Sequence, residues 1–203
     1  MKKYLFVMLM IAGTIAVLQQ SCKKDKDDDE DPTPVVPVNV ICDGNGTTDY
    51  FPLALSNSWY YNGSGSNDFT SSISTTEVHG GQTYFVVTST LGGTDYLRKA
   101  ANGDIIEYRS GSGTEVLLIP GSPTVNQSWA YTSLSVTTRK VISINATLTT
   151  DDCSYTGLLK IQEFDASEVG HAVYYYKKGV GMISTDQIWP GYIQSDLATV
   201  TLH

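Results

Sequence analysis

The chain has 203 residues, of which 13 are Lys or Arg and 21 are Asp or Glu, so its formal net charge is −8. A surplus of acidic residues is repelled by phosphate backbones and by anionic lipid headgroups, which argues against nucleic acid as a partner. The chain is long enough for one domain of ordinary size with its own core.

The N-terminus has the order of a secretory signal peptide. Lys2 and Lys3 precede an uncharged and largely apolar run from Leu5 to Leu18, as in signal peptides. The run is shorter than the roughly 20 apolar residues that a membrane-spanning helix needs. Residues 1–21 are therefore predicted to be a signal peptide that is removed on export.

Ser21-Cys22, just after the apolar run, resembles the cleavage site of bacterial lipoprotein signal peptides, in which the cysteine becomes the first residue and carries acyl chains. Gln19 and Gln20 depart from that pattern, which has an aliphatic residue three positions before the cysteine and a small residue two positions before it. The resemblance implies lipidation of Cys22 and attachment to a membrane through the lipid. It also implies a cell-envelope location, as an outer-membrane lipoprotein that is surface-exposed or faces the periplasm.

Residues 22–41 are predicted to be a disordered stalk. Lys23 to Asp31 is a run of charges, and Pro32, Pro34 and Pro37 then stiffen the chain towards polyproline II. The run resembles the spacer of Bacteroidota-type surface lipoproteins, and the plainer alternative is a solvated charge run without a special role. Removal of residues 1–21 takes away two lysines, which leaves 11 basic against 21 acidic residues and a net charge of −10.

The three cysteines allow a parity argument. If Cys22 carries lipid, Cys42 and Cys153 remain as an even pair in an oxidising compartment. A disulfide between them is predicted, and two unpaired thiols are the alternative. Neither cysteine has the spacing of a zinc ligand.

Residues 42–203 are predicted to be one all-β domain. Short runs rich in Thr, Val, Ile and Tyr recur from Tyr50 onwards between glycine-containing turns, and no stretch keeps a helical apolar period. Gly80-Gly81 and Asn102-Gly103 suit two-residue hairpin turns, because both tolerate positive φ. We expect about eleven strands in a sequential antiparallel meander, curled into a barrel or folded into a sandwich.

Two motifs resemble a group of bacterial lipoproteins of unknown function. Asp49-Tyr50-Phe51-Pro52-Leu53 with Asn57-Ser58-Trp59-Tyr60-Tyr61 is similar to the opening of that group, and Tyr174-Tyr175-Tyr176-Lys177-Lys178-Gly179-Val180-Gly181 is similar to its closing strand pair. The resemblance implies an exported all-β module and no catalytic residues. Trp59 and Trp129 are predicted to anchor the core, because large rings in strands offer much area for burial.

Common catalytic and nucleotide-binding motifs are absent from the sequence. His79 and His171 form a weak metal pair, since a lone strand histidine is usually an ordinary side chain. Asp43 to Asp49 begins like a calcium loop but lacks glycine at its sixth position, and Ala54 stands where a bidentate glutamate is required. No metal and no cofactor are predicted.

Trp189 and Tyr192 flank Pro190-Gly191 and are the candidate ligand-binding residues, because loop aromatics can stack on a sugar or fill a partner's pocket. The sequence favours a non-enzymatic lipoprotein that binds a glycan or protein. Two alternatives stay open: a carrier of an apolar ligand in an open barrel, and a hydrolase-like enzyme that uses acidic residues on separate strands.

Overall fold

A computed structural model describes residues 40–65, 67–133, 136–188 and 193–203. They form a short helix, α1 (Val40–Asp43), followed by twelve strands. The strands are β1 (Ser58–Gly63), β2 (Phe69–His79), β3 (Gln82–Ser89), β4 (Thr94–Lys99), β5 (Ile105–Arg109), β6 (Thr114–Ile119), β7 (Ser128–Ser133), β8 (Val136–Thr149), β9 (Ser154–Phe164), β10 (Gly170–Lys177), β11 (Gly181–Gln187) and β12 (Ile193–Thr201). Among these residues, no helix is long and apolar enough to cross a membrane.

The twelve strands form one antiparallel sheet in the order β6-β5-β4-β3-β2-β1-β12-β11-β10-β9-β8-β7. Two six-stranded meanders are joined where the first strand pairs with the last, through Ser58–Thr201 and Trp59–Val200. The sheet curls into a nearly closed barrel, so the predicted all-β meander is confirmed.

Side chains of β7 and β8 close the barrel against the edge strand β6. Trp129 Nε1 donates a hydrogen bond to the Leu117 carbonyl at 2.8 Å, and Arg139 Nη1 donates one to the Leu118 carbonyl at 3.2 Å. These bonds occupy carbonyl groups that an edge strand otherwise leaves open to another chain.

The two predicted hairpin turns differ. Gly80 and Gly81 have φ of 57° and 79° and connect β2 directly to β3, as predicted. The turn at Asn102-Gly103 is longer, because β5 begins at Ile105 rather than at Asp104. Asp104 is held in the turn instead, where its Oδ1 accepts a hydrogen bond from the Gly121 amide at 2.7 Å.

Because neighbouring strands are antiparallel, the even-numbered strands all begin and the odd-numbered strands all end at one end of the barrel. We call this the polar end; β4 begins there at Thr94 and β5 ends there at Arg109. The opposite end, where β5 begins at Ile105 and β10 ends at Lys177, is called the apolar end.

The two motifs that resemble bacterial lipoproteins meet inside the apolar end. Trp59 is fully buried, and its Nε1 donates a hydrogen bond to the Val180 carbonyl at 2.6 Å. A Cβ at Gly181 would lie only 2.8 Å from that Nε1, so glycine is required for this close approach. The Trp59 anchor is confirmed, whereas Trp129 is only partly buried and closes the barrel seam instead.

The tip of the long β8–β9 hairpin is held by a disulfide. Cys153 in this tip is bonded to Cys42 in α1, with Cα atoms 5.6 Å apart, so the predicted pair is present. The Tyr155 hydroxyl donates a hydrogen bond to the Ile41 carbonyl at 3.1 Å beside it. α1 begins at Val40, two residues before the domain start expected from the sequence.

Candidate functional site

Charged side chains fill the interior at the polar end of the barrel. They stand at register positions that face inwards, since cross-strand partners share a face of the sheet. Arg139 pairs across the ladder with Glu163, and Val141 pairs with the buried Ile161 two positions further on. We call the following set the polar cluster: Asp95, Glu107, Arg109, Tyr131, Arg139, Glu163 and Tyr174.

The deepest part of the cluster is an ion pair. Nε and Nη2 of Arg139 donate to Oε1 of Glu163 at 2.9 and 2.6 Å, and the side chains are 4% and 9% exposed. The guanidinium carbon also lies 3.5 Å from the centre of the Tyr131 ring, a cation–π contact. The charge of Arg139 is therefore matched inside the protein.

A second ion pair lies nearer to solvent. Arg109 Nε is 3.2 Å from Glu107 Oε1, and the side chains are 19% and 14% exposed. Arg109 Nη1 donates to the Thr132 carbonyl, and the Tyr131 hydroxyl donates to Glu107 Oε2 at 2.8 Å. Oε2 of Glu107 therefore accepts a hydrogen bond, whereas Oε1 is only within ion-pair distance of Arg109, whose buried Nε has no hydrogen-bond partner among the described residues.

Asp95 is the outermost charged member and differs from the others. Its side chain is exposed to solvent, yet burial of its surroundings raises the pKa of the carboxyl group, and repulsion by Glu107 raises it further. The positive charges of Arg109 and Arg139 lower the pKa of Asp95 and so oppose these two effects. A carboxylate that water can reach while protein surrounds it lies in a concave surface.

The tyrosines of the interior remain protonated. Burial raises the pKa of the Tyr131 and Tyr174 hydroxyls well above the ordinary value for tyrosine, and burial raises that of Tyr176 to about 12. At neutral pH these groups act as neutral hydrogen-bonding groups and not as bases.

The polar cluster opens to the surface through a cleft of about 360 Å³. Asp95, Glu107 and Arg109 line the cleft, together with Tyr96 and Tyr108. Exposure falls from Asp95 through Glu107 to Glu163, so the cleft leads from solvent towards the buried ion pair.

A cleft of similar size, about 350 Å³, lies at the apolar end. Its charged groups are Asp49, Lys99 and Lys178. Lys99 Nζ is 2.6 Å from Asp49 Oδ1, and Lys178 Nζ lies 5.2 Å from the centre of the Tyr50 ring. Because all three charges have partners here, this cleft is a weaker candidate than the one at the polar end.

The residues singled out from the sequence are dispersed. Cys22, Trp189 and Tyr192 lie outside the described residues. His79 stacks on Tyr108 with ring centres 4.5 Å apart, whereas His171 Nε2 lies 3.2 Å from Asp165 Oδ2. In the described part of the chain, no group of three or more His, Cys, Asp or Glu side chains could hold a metal ion.

The loop from Asp43 to Asp49 belongs to the scaffold. The Asn45 amide donates a hydrogen bond to the Gly179 carbonyl at 2.9 Å, and the Gly179 amide donates one to the Asp49 carbonyl at 2.8 Å. These bonds tie the loop to the turn between β10 and β11. The Asp49 side chain is paired with Lys99.

Sequence reasoning missed the polar cluster. The available signal was the alternation of side chains along a strand. Glu107 and Arg109 fall on the same face of β5 as the buried Ile105. A charge at an inward position marks a polar interior once the strand's facing is known. Which face points inwards depends on the register of strand pairing. Bulges in the β5–β6 and β8–β9 pairs shift that register.

No family model and no curated protein matches the chain. Two solved structures are similar. One is a protein of Bacteroides fragilis with a YmcC-like fold that is predicted to be exported; it has 10% identity and a TM-score of 0.48, and the match covers 76% of this chain and 100% of that one. The other is a predicted lipoprotein of Parabacteroides distasonis, with 14% identity, a TM-score of 0.43 and coverage of 76% and 99%. At this level of similarity, neither informs on the function of this chain.

Proposed function

We propose that the protein is a lipid-anchored binding module of the bacterial cell envelope, which holds a small polar ligand in the cleft at the polar end of its barrel. The observation that carries this proposal is the charged interior of that end, which opens to solvent at Asp95. Replacement of a buried ion pair by apolar side chains is often neutral or stabilising. Apolar side chains fill the interior of the apolar end. Stability alone therefore does not require charged side chains at the polar end.

Trp189 and Tyr192 fit this proposal as additional contacts. They precede Ile193, where β12 begins at the polar end. Ile188 and Ile193, on either side of the segment, are both exposed. We therefore keep the two aromatic residues as proposed ligand contacts.

The two alternatives differ in support. Trp59, Tyr61 and Leu158 fill the interior of the described barrel, which leaves the apolar-carrier hypothesis without a hollow to rest on. The hydrolase hypothesis gains one observation, the convergence of Asp95 and Glu107 in the cleft. However, Glu107 is in an ion pair with Arg109 and accepts a hydrogen bond from Tyr131, so no second unpaired carboxylate stands beside Asp95 in the described cleft.

Binding in the cleft can be tested by NMR, because the chain has three arginines, Arg98, Arg109 and Arg139. Full-length protein with ¹⁵N-labelled arginine, purified in detergent, is titrated with alkyl amines, neutral sugars and carboxylic acids. We expect one of these classes to shift the Nε–Hε signal of Arg109. Arg98 serves as an internal control, since it is paired with Glu115 away from the cleft. If no class moves the Arg109 signal, the cleft is not a binding site.

Lipid anchoring is tested at Cys22. The Cys22→Ser variant is expected to lose incorporation of a labelled fatty acid and to leave the membrane fraction, because the acyl chains provide the attachment. Cys42→Ser is the matched control, since its loss breaks the disulfide but leaves Cys22 in place. Continued labelling of the Cys22→Ser variant would disprove lipidation at this residue.

A further inference from the structure

We infer that the seam between β6 and β7 is a gate that opens at the polar end of the barrel, and that side chains of the polar cluster hold it shut. The seam is the line along which these two edge strands face each other without a backbone ladder. The inference goes beyond the proposed function and does not depend on whether the cleft binds a ligand.

The barrel consists of two six-stranded leaves, β1–β6 and β7–β12, which are joined differently on their two sides. On one side, β1 and β12 pair through a backbone ladder that runs from Ser58–Thr201 to Gly63–Ser195. On the other side, no backbone ladder joins β6 to β7, and the loop of residues 120–127 connects the two strands at the apolar end. Because this loop ties the strands together there, separation of the leaves must begin at the polar end.

Side-chain hydrogen bonds cross the seam in place of a ladder. Near the connecting loop, Trp129 and Arg139 donate to the carbonyls of Leu117 and Leu118 in β6. These bonds lie closest to the point where the strands are already held by the chain.

Two further bonds, nearer to the polar end, join β5 to β7 across the seam. The Tyr131 hydroxyl donates to Glu107 Oε2 at 2.8 Å, and Arg109 Nη1 donates to the Thr132 carbonyl. The guanidinium carbon of Arg109 also lies 4.5 Å from the centre of the Tyr131 ring. We call these contacts the latch, because separation that begins at the polar end must break them first.

Opening of the seam keeps both ion pairs of the polar cluster intact. Arg109 and Glu107 belong to the β1–β6 leaf, whereas Arg139 and Glu163 belong to the β7–β12 leaf. The leaves therefore part between the two ion pairs. Neither arginine loses its carboxylate partner.

The closed state also contains a group that opening would satisfy. Arg109 Nε is buried and has no hydrogen-bond partner among the described residues. A buried donor without a partner is unfavourable, and so is the burial of charge at Arg139 and Glu163. Because opening lets water reach these groups, both effects favour the open state.

An open seam extends the cleft towards the interior. Glu107 and Arg109 line the cleft and are also part of the latch, so the cleft lies at the polar end of the seam. Once the latch is broken, solvent or a solute in the cleft reaches the ion pair of Arg139 and Glu163.

The test compares hydrogen exchange of two side-chain N–H groups, measured by NMR on the full-length protein in detergent. Arg139 Nε donates to Glu163 behind the seam, whereas Trp59 Nε1 donates to the Val180 carbonyl in the apolar core. After correction for intrinsic rates, we expect the Arg139 group to exchange at least about tenfold faster, because local opening requires less free energy than global unfolding. Equal protection of the two groups would overturn the gate, since both would then exchange only on unfolding.

The latch is tested by Glu107→Gln. Loss of the charged acceptor of the Tyr131 hydroxyl should raise the exchange of Arg139 Nε–H, relative to that of Trp59 Nε1–H, by at least about tenfold. A general loss of stability raises the exchange of the Trp59 group and so does not raise this ratio. If the variant does not fold, the wild-type comparison still decides whether the seam opens.

Glu115→Gln is the matched control. Glu115 also accepts a hydrogen bond from a tyrosine, Tyr84, and is paired with an arginine, Arg98, but all three lie in the β1–β6 leaf and do not cross the seam. We expect this variant to leave the ratio unchanged. An unchanged ratio in Glu107→Gln, or an equal rise in both variants, would overturn the assignment of the latch to the polar cluster.

Discussion

Replacement of Trp59 by alanine is expected to lower the free energy of unfolding by about 3–5 kcal/mol, the range for loss of a buried aromatic ring. Trp59 is fully buried and packs against Phe51, with ring centres 5.0 Å apart. Its removal leaves a cavity at the junction of the first and last strands. It also leaves the Val180 carbonyl without its 2.6 Å hydrogen bond. Denaturant unfolding of the wild type and the variant measures the loss.

Trp129→Ala is the matched control for this prediction. Trp129 carries the same ring and also donates its Nε1 hydrogen to a carbonyl, but it is only partly buried. Its loss is therefore expected to cost clearly less than that of Trp59. Equal losses for the two variants would mean that the barrel seam and the apolar core contribute alike, and a Trp59→Ala variant that unfolds with the wild type would contradict the burial of its ring.

Local chemistry explains which parts of the fold were predictable. Gly80-Gly81 specifies its turn because positive φ at two successive positions favours glycine. The end of β8 is not specified locally, since the strand continues to Thr149 through polar residues such as Asn145. Its continuation depends on pairing with β9, with register shifts between Val141 and Leu148, and no local pattern encodes such irregular pairing.

The polar cluster illustrates a different limit. Glu107, Arg139 and Glu163 come from three strands, and each one alone looks like an ordinary surface charge within a β-rich sequence. Only the closed barrel brings them together and turns them inwards. A set of non-local contacts of this kind has no sequence motif, whereas the tryptophan motif of the core could be found because its residues are close in the chain.

The contrast between the two ends of the barrel also separates stability from function. The residues of the lipoprotein-like motifs, such as Trp59, Val180 and Gly181, pack together at the apolar end and tie β1 to the turn between β10 and β11. The charged residues of the polar end contribute less to stability, because the cost of burying charge opposes the gain from pairing. Substitutions at the apolar end should therefore affect folding first, and substitutions in the cleft should affect binding first.

The second large effect is expected from the disulfide. Cys42 and Cys153 are separated by 111 residues, and in the chain-entropy treatment a crosslink over such a loop stabilises the folded state by about 4–5 kcal/mol. The Cys42→Ala, Cys153→Ala double variant should lose roughly that amount in denaturant unfolding. The rest of the domain should keep its fold, because the closure of β1 on β12 does not involve either cysteine.

Reduction of the wild-type protein provides the control that separates the crosslink from the packing of the Cys153 side chain, which is buried in the core. Because reduction keeps both sulfur atoms in place, the reduced wild type and the double variant should unfold at similar denaturant concentrations, both well below the oxidised protein. Reduction should also expose α1 and the β8–β9 tip to hydrogen exchange before the core strands, since the bond joins these two segments. If the oxidised and reduced proteins unfold together, the crosslink does not stabilise the domain, and one physical reason for its folding in an oxidising compartment is removed.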